Sequence, residues 1–377
     1  PKFSLEGSFS YIRDTYEPLV KRCVNDAQFR RVMSEILAEF NASHMSIGSR
    51  PGENTAGVVQ DSSPHIGFIF DPALADKGTL RITHLVENTP AAAENSGLKV
   101  GDYVLSIEGT KVEPGVNPHQ LVRNKLGSEI KLQVADSPDA EETRTVYLPT
   151  VNLQVFYSRM ISAWENINRK YVAEKSDGKF GYVCLRSMMD PDYAKFKQDI
   201  SRYLANYEGI VLDFRYNSGG RIAHQIAEVL DDSRWLYSGM RGGRWVPEDV
   251  HRDFSVQKAV VGMFNERTFS NAEMMLAGFR IKKLGPTVGM PTSGGVIGTW
   301  PKTLLDGSTL RLPRFRVYDS LGRNLERNPT KPEHIIDETF VHQMKDDKVQ
   351  LDKALELLRE ETKRKAKALV PDIKEED

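Results

Sequence analysis

At 377 residues, with 40% hydrophobic and 27% charged side chains, the chain has room for two or three globular domains and lacks the composition of a disordered segment. Its formal net charge of -1 gives no global attraction to nucleic acid or an anionic membrane, and no apolar run approaches the roughly 20 residues of a bilayer span. Two cysteines, Cys23 and Cys184, are too few for a disulfide framework or a zinc site. Cys184 lies in the apolar stretch GYVCL, where a buried thiol is expected, and this usage fits a reducing, cytoplasmic setting. The chain begins with Pro1 and shows no signal peptide, as expected of a fragment truncated at its N-terminus.

Residues 8–41 read as helical, with Phe29, Met33, Ile36, Leu37 and Phe40 on one face and Asn25 or Asp26 as the cap. A loop rich in Gly, Ser and Asn follows, ASHMSIGSRPGENTAG. Short strands are then expected in HIGFIF, LRITHLV, DYVLSIEG, IKLQVAD and TRTVYLP, with an Ala-rich helix between the second and third. This unit, with GLKVGDYVLSIEG at Gly97–Gly109, resembles a PDZ domain. The resemblance implies that it docks peptide C-termini by strand addition. From residue 152 a long helix gives way to alternating strands and helices: GYVCLRS, DYAKFKQDISRYLANY, GIVLDFR, IAHQIAEVL, AVVGMF, SNAEMMLAGFRI and PTVGM. That alternation predicts an α/β sheet with packed helices. VQLDKALELLREETKRKAKAL closes the chain as a helix with a charged, solvated tail.

Two junctions in the α/β region can carry chemistry. In ERTFSNAEMML, Ser270 and Glu273 form the Ser-x-x-Glu pattern of a capping box. The same serine stands where a helix N-terminus favours an oxyanion, so the backbone N–H of Asn271 is a natural donor to a tetrahedral intermediate. In GIVLDFRYNSGGR a strand runs into Gly219 and Gly220, which let backbone N–H groups approach a ligand. Read without the other, the first junction is a cap and the second a tight turn. A nucleophilic Ser270 also needs a base. There are eight histidines; His224 follows the glycine turn, and His44 stands in the loop Asn41–Met45.

Strand-D-x-R-x-N-x-G-G-helix, then a Ser-initiated helix, then GPTVGMPTSGGVIG resembles the tail-specific, or C-terminal-processing, serine peptidase family, from about residue 65 to 340. The lysine-dependent branch of that family carries its base in T-x-G-K-G. Here Gly295, within Thr292–Val296, stands at the lysine position, which excludes that route. A Ser-His pair ahead of a PDZ domain and a lysine-free core is the layout of the tricorn branch. The resemblance implies a tetrad: Ser270 as nucleophile, His44 as general base, Ser43 as a bridge, and a late glutamate that maps to Glu326, with Glu333 as the runner-up. It also implies an oxyanion hole from Gly220 and Asn271 with Gly219 close by, no metal or other cofactor, and short peptides as substrates. Ser238 falls at the acidic specificity position, so no strong preference for basic P1 residues is expected. A homo-oligomer, a hexamer in the tricorn branch, is implied as well.

The expected organisation is a helical subdomain over 1–60, a PDZ-like domain over 61–150, an α/β serine peptidase core over 151–348, and a C-terminal helix with tail over 349–377. The alternative is a PDZ-type peptide-binding or scaffold protein with an inactive core. The same core fold occurs in retinoid-binding proteins that cleave nothing.

Overall fold

A computed structural model describes residues 5–52, 64–231, 237–238, 246–247, 258–338 and 347–368. The chain divides into two compact units, one made of residues 1–56 and 168–377, the other of residues 57–167. The helical stretch expected over 8–41 consists of two helices, α1 (Leu5–Val20) and α2 (Asp26–Glu39), the second capped by Asn25 as expected. The break falls where Asn25 turns extended and its side chain accepts the Gln28 N–H at 2.9 Å, starting a new helix. Beyond α2, Asn41 and His44 both take positive φ, and the chain enters a two-residue strand, β1 (Ser46–Ile47).

The second unit is an antiparallel sheet of β2 (Phe68–Phe70), β3 (Leu80–Leu85), β4 (Tyr103–Ile107), β5 (Thr110–Lys111), β6 (Glu129–Ala135) and β7 (Arg144–Pro149), with short helices α3 (Pro72–Ala75) and α4 (Pro118–Leu121). Its order is β2-β3-β4-β6-β7, with β5 paired to β4. Alternation decides which face is covered. Ile130, Leu132 and Val134 of β6 join Val146 and Leu148 of β7 in one buried cluster, while the intervening Glu129 and Lys131 are exposed. The expected Ala-rich helix is a single 3-10 turn, Pro90–Ala92.

A long helix, α5 (Leu153–Lys175), leads into the rest of the first unit. There follow β8 (Phe180–Cys184), α6 (Asp190–Asn206), β9 (Gly209–Asp213), α7 (Ala223–Leu230), the paired β10 (Tyr237–Ser238) and β11 (Val246–Pro247), β12 (Ala259–Phe264), α8 (Asn271–Lys282) and β13 (Thr287–Gly289). The hairpin β14 (Gly298–Thr303) and β15 (Thr309–Phe315), β16 (His334–Ile335) and α9 (Val349–Ala368) complete it. Five strands form a parallel sheet in the order β16-β13-β12-β9-β8. Both faces are covered, so β8, β9 and β12 are buried along their whole length. Ile210, Leu212 and Val260 pack with residues of α6, α7 and α8, and Val211, Val261 and Met263 point the other way, where α9 crosses β9 and β12. In a parallel sheet the loops leaving the carboxyl ends of the strands gather at one edge, and three such loops supply the site described below.

The D-x-R pair of the sequence has a structural role at that edge. Asp213 and Arg215 are buried at 0% and 4% exposure and pair at 2.7 Å. Asp213 also accepts the Tyr182 hydroxyl at 2.7 Å, and Arg215 reaches Gln350 at the start of α9 at 2.9 Å. Removing Asp213 leaves the buried Arg215 with only the longer contact to Glu338, at 3.4 Å, as a carboxylate partner. Asp213→Ala is therefore expected to cost about 3–5 kcal/mol of stability, read as a lowered urea midpoint; a loss under about 1 kcal/mol would show that the pair does not hold this edge.

Candidate active site

Ser270 sits at a strand-to-helix junction whose loop is fixed by its own polar groups. The Thr268 hydroxyl donates to Phe214 O and accepts the Asn265 N–H, each at 3.0 Å, and the Phe269 N–H reaches Asn217 O at 3.0 Å. The chain then takes φ +59, ψ −125 at Ser270, a conformation unfavourable for a residue with a Cβ by about 1–3 kcal/mol. Its N–H is accepted by Glu273 Oε1 at 3.0 Å, the returning half of a capping box. The hydroxyl makes no cap hydrogen bond and lies instead 2.9 Å from His44 Nε2. Capping and presentation are thus divided between two residues. Close approach explains one glycine: a Cβ at Gly219, φ +92, would stand 2.6 Å from Ser270 Cβ.

From His44 the contacts continue without a gap. His44 Nδ1 is 2.8 Å from Ser43 Oγ, and that hydroxyl donates to Glu326 Oε2 at 3.0 Å. Glu326 is 7% exposed and accepts three backbone N–H groups, Ser43 on Oε1 at 2.9 Å and Val296 and Ile297 on Oε2 at 2.7 Å each. This set fixes the protons. An ionised carboxylate only accepts, so Ser43 must give it its single hydroxyl proton. The Ser43 oxygen is then left as the acceptor for a proton on His44 Nδ1. Nε2 is consequently bare and can take the proton of Ser270.

The electrostatics agree with that order. Burial pushes Glu326 toward the protonated form, but the N–H groups of Ser43, Val296 and Ile297 and the Ser43 hydroxyl outweigh it and hold the carboxyl below its ordinary range. His44 is also shifted down, first by burial; Glu326 opposes the shift and Arg311 of β15 adds to it. The imidazole is therefore neutral at pH 7. Phe269 stacks on it with ring centroids 4.5 Å apart and planes 19° apart.

The glycine turn meets the same place. Among the described residues the Gly220 and Asn271 N–H groups have no protein acceptor, whereas the Gly219 N–H is taken by Asn217 Oδ1 at 2.9 Å. Asn217 also donates through Nδ2 to Leu185 O at 2.8 Å, so this one buried side chain shapes the turn. Asn271 Oδ1 accepts the Ala223 N–H at 2.9 Å and ties the nucleophile helix to α7. The runner-up acid lies apart from the histidine: Glu333 accepts from Thr287 N at 3.1 Å. His224 is exposed on α7. Ser238 pairs with Val246 across β10 and β11, and its side chain lies outside the described residues.

Sequence reasoning missed four contributors: Phe269, Asn217, Arg311 and the backbone of Val296–Ile297. It also took Glu273 only as a cap. Glu273 is 1% exposed and receives Thr292 Oγ1 and Gly294 N at 2.6 Å and Gly295 N at 2.8 Å, so it locks the 292–295 segment to the nucleophile helix.

A strained serine at the carboxyl edge of a parallel sheet, faced by a neutral histidine and two open N–H donors, is the arrangement of a serine hydrolase. Residues 179–336 match the model of Peptidase family S41, and the chain is similar to tricorn-type S41 peptidase cores. It is 26% identical over 339 residues to tricorn protease homolog 1 of Streptomyces coelicolor, covering 85% of this chain and 30% of that protein. It is 28% identical over 351 residues to the tricorn protease homolog of Saccharolobus solfataricus, covering 91% and 32%. The chain thus spans about a third of the length of these relatives. The crystal structure of the tricorn protease superposes with a TM-score of 0.66 at 23% identity, over 95% of this chain and 34% of that one, and shares its fold.

Two outcomes test the geometry. Ser270→Gly relieves the positive φ that Ser270→Ala retains, so Ser270→Gly should be the more stable by about 1 kcal/mol in urea denaturation, and equal stability would deny the strain. In Glu326→Gln either orientation of the amide sets its NH2 against a donor, from Ser43 N or from Val296 and Ile297. A loss of about 1–3 kcal/mol is expected, and nitrogen NMR shifts of His44 should move away from a single Nδ1–H tautomer. Unchanged shifts would show that Glu326 does not set the tautomer.

Proposed function

We propose that this chain is the catalytic core of a tricorn-type serine endopeptidase that cleaves short peptides. The reading rests above all on the unbroken contact chain from Ser270 through His44 and Ser43 to Glu326, whose donors and acceptors permit one proton order. Ser270 Oγ attacks the scissile carbonyl carbon as its proton passes to His44 Nε2. The imidazolium keeps its Nδ1–H on Ser43, and the charge of Glu326 stabilises it through that hydroxyl. The carbonyl oxygen becomes an oxyanion in reach of the Gly220 and Asn271 N–H groups, at the N-terminus of α8. Such a donor is worth about 2.7–4 kcal/mol in the transition state. His44 then gives its proton to the leaving amine, the peptide bond breaks and an acyl-enzyme remains. Water repeats the sequence with His44 again as base and frees Ser270.

Two finer points belong to the same reading. An uncharged Ser238 gives no ion pair to a basic P1 side chain, so the proposed specificity is apolar or mixed. Residues 61–150 are proposed as a PDZ-like module, supported by their antiparallel sheet with short helices α3 and α4. Hexamer formation follows from the family resemblance.

The deciding experiment is labelling with a fluorophosphonate probe, read by intact mass, with wild type, Ser270→Ala and His44→Ala. A stoichiometric adduct is expected on wild type, absent in Ser270→Ala and sharply slowed in His44→Ala. Folded wild type that takes no adduct would leave the alternative, a peptide-binding protein with an inactive core. Turnover requires neutral His44, so kcat/KM should rise with pH through an apparent pKa below the ordinary 6.5. Glu326, shifted down, stays ionised across that limb. A limb centred above 6.5 would contradict the burial of His44.

A further inference from the structure

The general base has one face closed by an aromatic ring, and that ring exists in its place because a neighbour has no side chain. Phe269 is half-buried and nearly parallel to the His44 imidazole, 19° off, at a centroid distance of 4.5 Å. On another side the same ring covers Gly295. A Cβ built at Gly295 would stand 2.3 Å from Phe269 Cε2 and 3.1 Å from Cδ2 and Cζ. Real Cβ atoms do not approach so closely, so one partner would have to move.

The backbone at 295 cannot be the one that gives way. Gly295 N–H is held by Glu273 Oε1 at 2.8 Å and the flanking Gly294 N–H by Glu273 Oε2 at 2.6 Å. On the other side Val296 N–H is held by Glu326 Oε2 at 2.7 Å. The segment is pinned between two buried carboxylates. The Phe269 backbone is equally fixed, through its N–H to Asn217 O at 3.0 Å. What remains movable is the ring, and it can leave Gly295 only by disturbing His44.

We infer that Phe269 is the positioning residue for His44, and that Gly295 is glycine because any side chain there would displace the Phe269 ring and with it the base. Ser43 holds Nδ1 of the imidazole at 2.8 Å and Ser270 Oγ lies 2.9 Å from Nε2, which fixes two points of the ring and leaves its plane free to turn about the line between them. Phe269 removes that freedom. It also precedes Ser270 directly, so the wall behind the base and the nucleophile in front of it belong to one rigid dipeptide. This inference deepens the serine peptidase reading and rests on it for its catalytic consequence.

The ring also keeps water from His44, in keeping with the burial that shifts the imidazole down. The charged groups facing His44 are Glu326 and Arg311, and neither substitution below touches them. Glu273 is engaged with Thr292, Gly294, Gly295 and the Ser270 N–H.

The test is a double-substitution cycle, Phe269→Ala, Gly295→Ala and both together, with Phe269→Leu as a better-packed second variant and Phe269→Tyr as the conservative control. Two readouts are taken: the His44 pKa by NMR titration, and kcat and KM on a peptide that wild type cleaves. Phe269→Ala, Phe269→Leu and Gly295→Ala should each raise the His44 pKa toward 6.5. Each should lower kcat about 10- to 100-fold with KM little changed, as a base misplaced by about 1 Å would. Phe269→Tyr should stay near wild type. The two alanine substitutions should be strongly non-additive, Gly295→Ala adding little once the ring is gone. Additive losses, or a His44 pKa unmoved in folded Phe269→Leu, would overturn the inference. A pKa that moves as expected while wild type neither cleaves nor labels would uphold the positioning of His44 and remove the peptidase reading instead.

Discussion

The candidate site depends on one buried carboxylate. Glu326 collects four donors, three of them backbone N–H groups, and those donors hold it ionised against the cost of its burial. Because it is ionised it can only accept, and every proton position up to Ser270 follows from that one fact. A protonated carboxyl would offer a donor to Ser43, reverse the hydroxyl and leave His44 free to choose the other tautomer. The geometry alone, without the charge, would not make Nε2 the acceptor.

A second buried carboxylate, Glu273, provides the mechanical counterpart. The N–H of a residue at φ +59 must find a partner off the regular helix path, and Glu273 supplies it. Its two oxygens also hold Thr292, Gly294 and Gly295, so the strained serine and the 292–297 segment form one body. Those hydrogen bonds, at about 0.5–1.5 kcal/mol each, are of a size to offset the about 1–3 kcal/mol of backbone strain at the nucleophile. Glu273 and Glu326 thus grip neighbouring residues of the same loop, Thr292–Gly295 by the first and Val296–Ile297 by the second. One side of that segment serves the nucleophile and the other serves the base.

Much of this was legible in sequence because it is local. The alternation of apolar runs with helical stripes points to an α/β sheet with packed helices, and Ser-x-x-Glu and the glycine pair mark the two junctions. Ser43, His44 and Glu326 were named through family resemblance, and the structure does bring them within hydrogen-bond distance of one another and of Ser270. What sequence could not give was long-range. Phe269 looked like one more apolar residue before a helix, since nothing in ERTFSN reveals that a ring from residue 44 lies over it. Gly295 could be seen as a missing lysine but not as room for Phe269. Asn217 was read as part of a turn motif, whereas its amide spans Leu185 and Gly219 and its carbonyl holds Phe269. The start of α2 was legible too, because the cap at Asn25 stands directly before the apolar stripe Phe29–Phe40.

The separation of His44 from Ser270 by 226 positions has a further physical consequence. The nucleophile, the glycine turn and both open N–H donors ride on the parallel sheet, whose strands are buried on two faces. The base rides on the loop into β1, which is held by two residue pairs, Ser46 with Arg311 and Ile47 with Leu310, and by the contacts of Ser43 with Glu326. β15, the partner strand, is exposed over most of its length. Local stability follows buried contact, and the β1 loop has less of it than the strands that carry the serine. Nucleophile and base therefore reach the site from differently built parts of the unit, and the His44–Ser270 contact at 2.9 Å depends on the β1 pairing with β15 as well as on the parallel sheet.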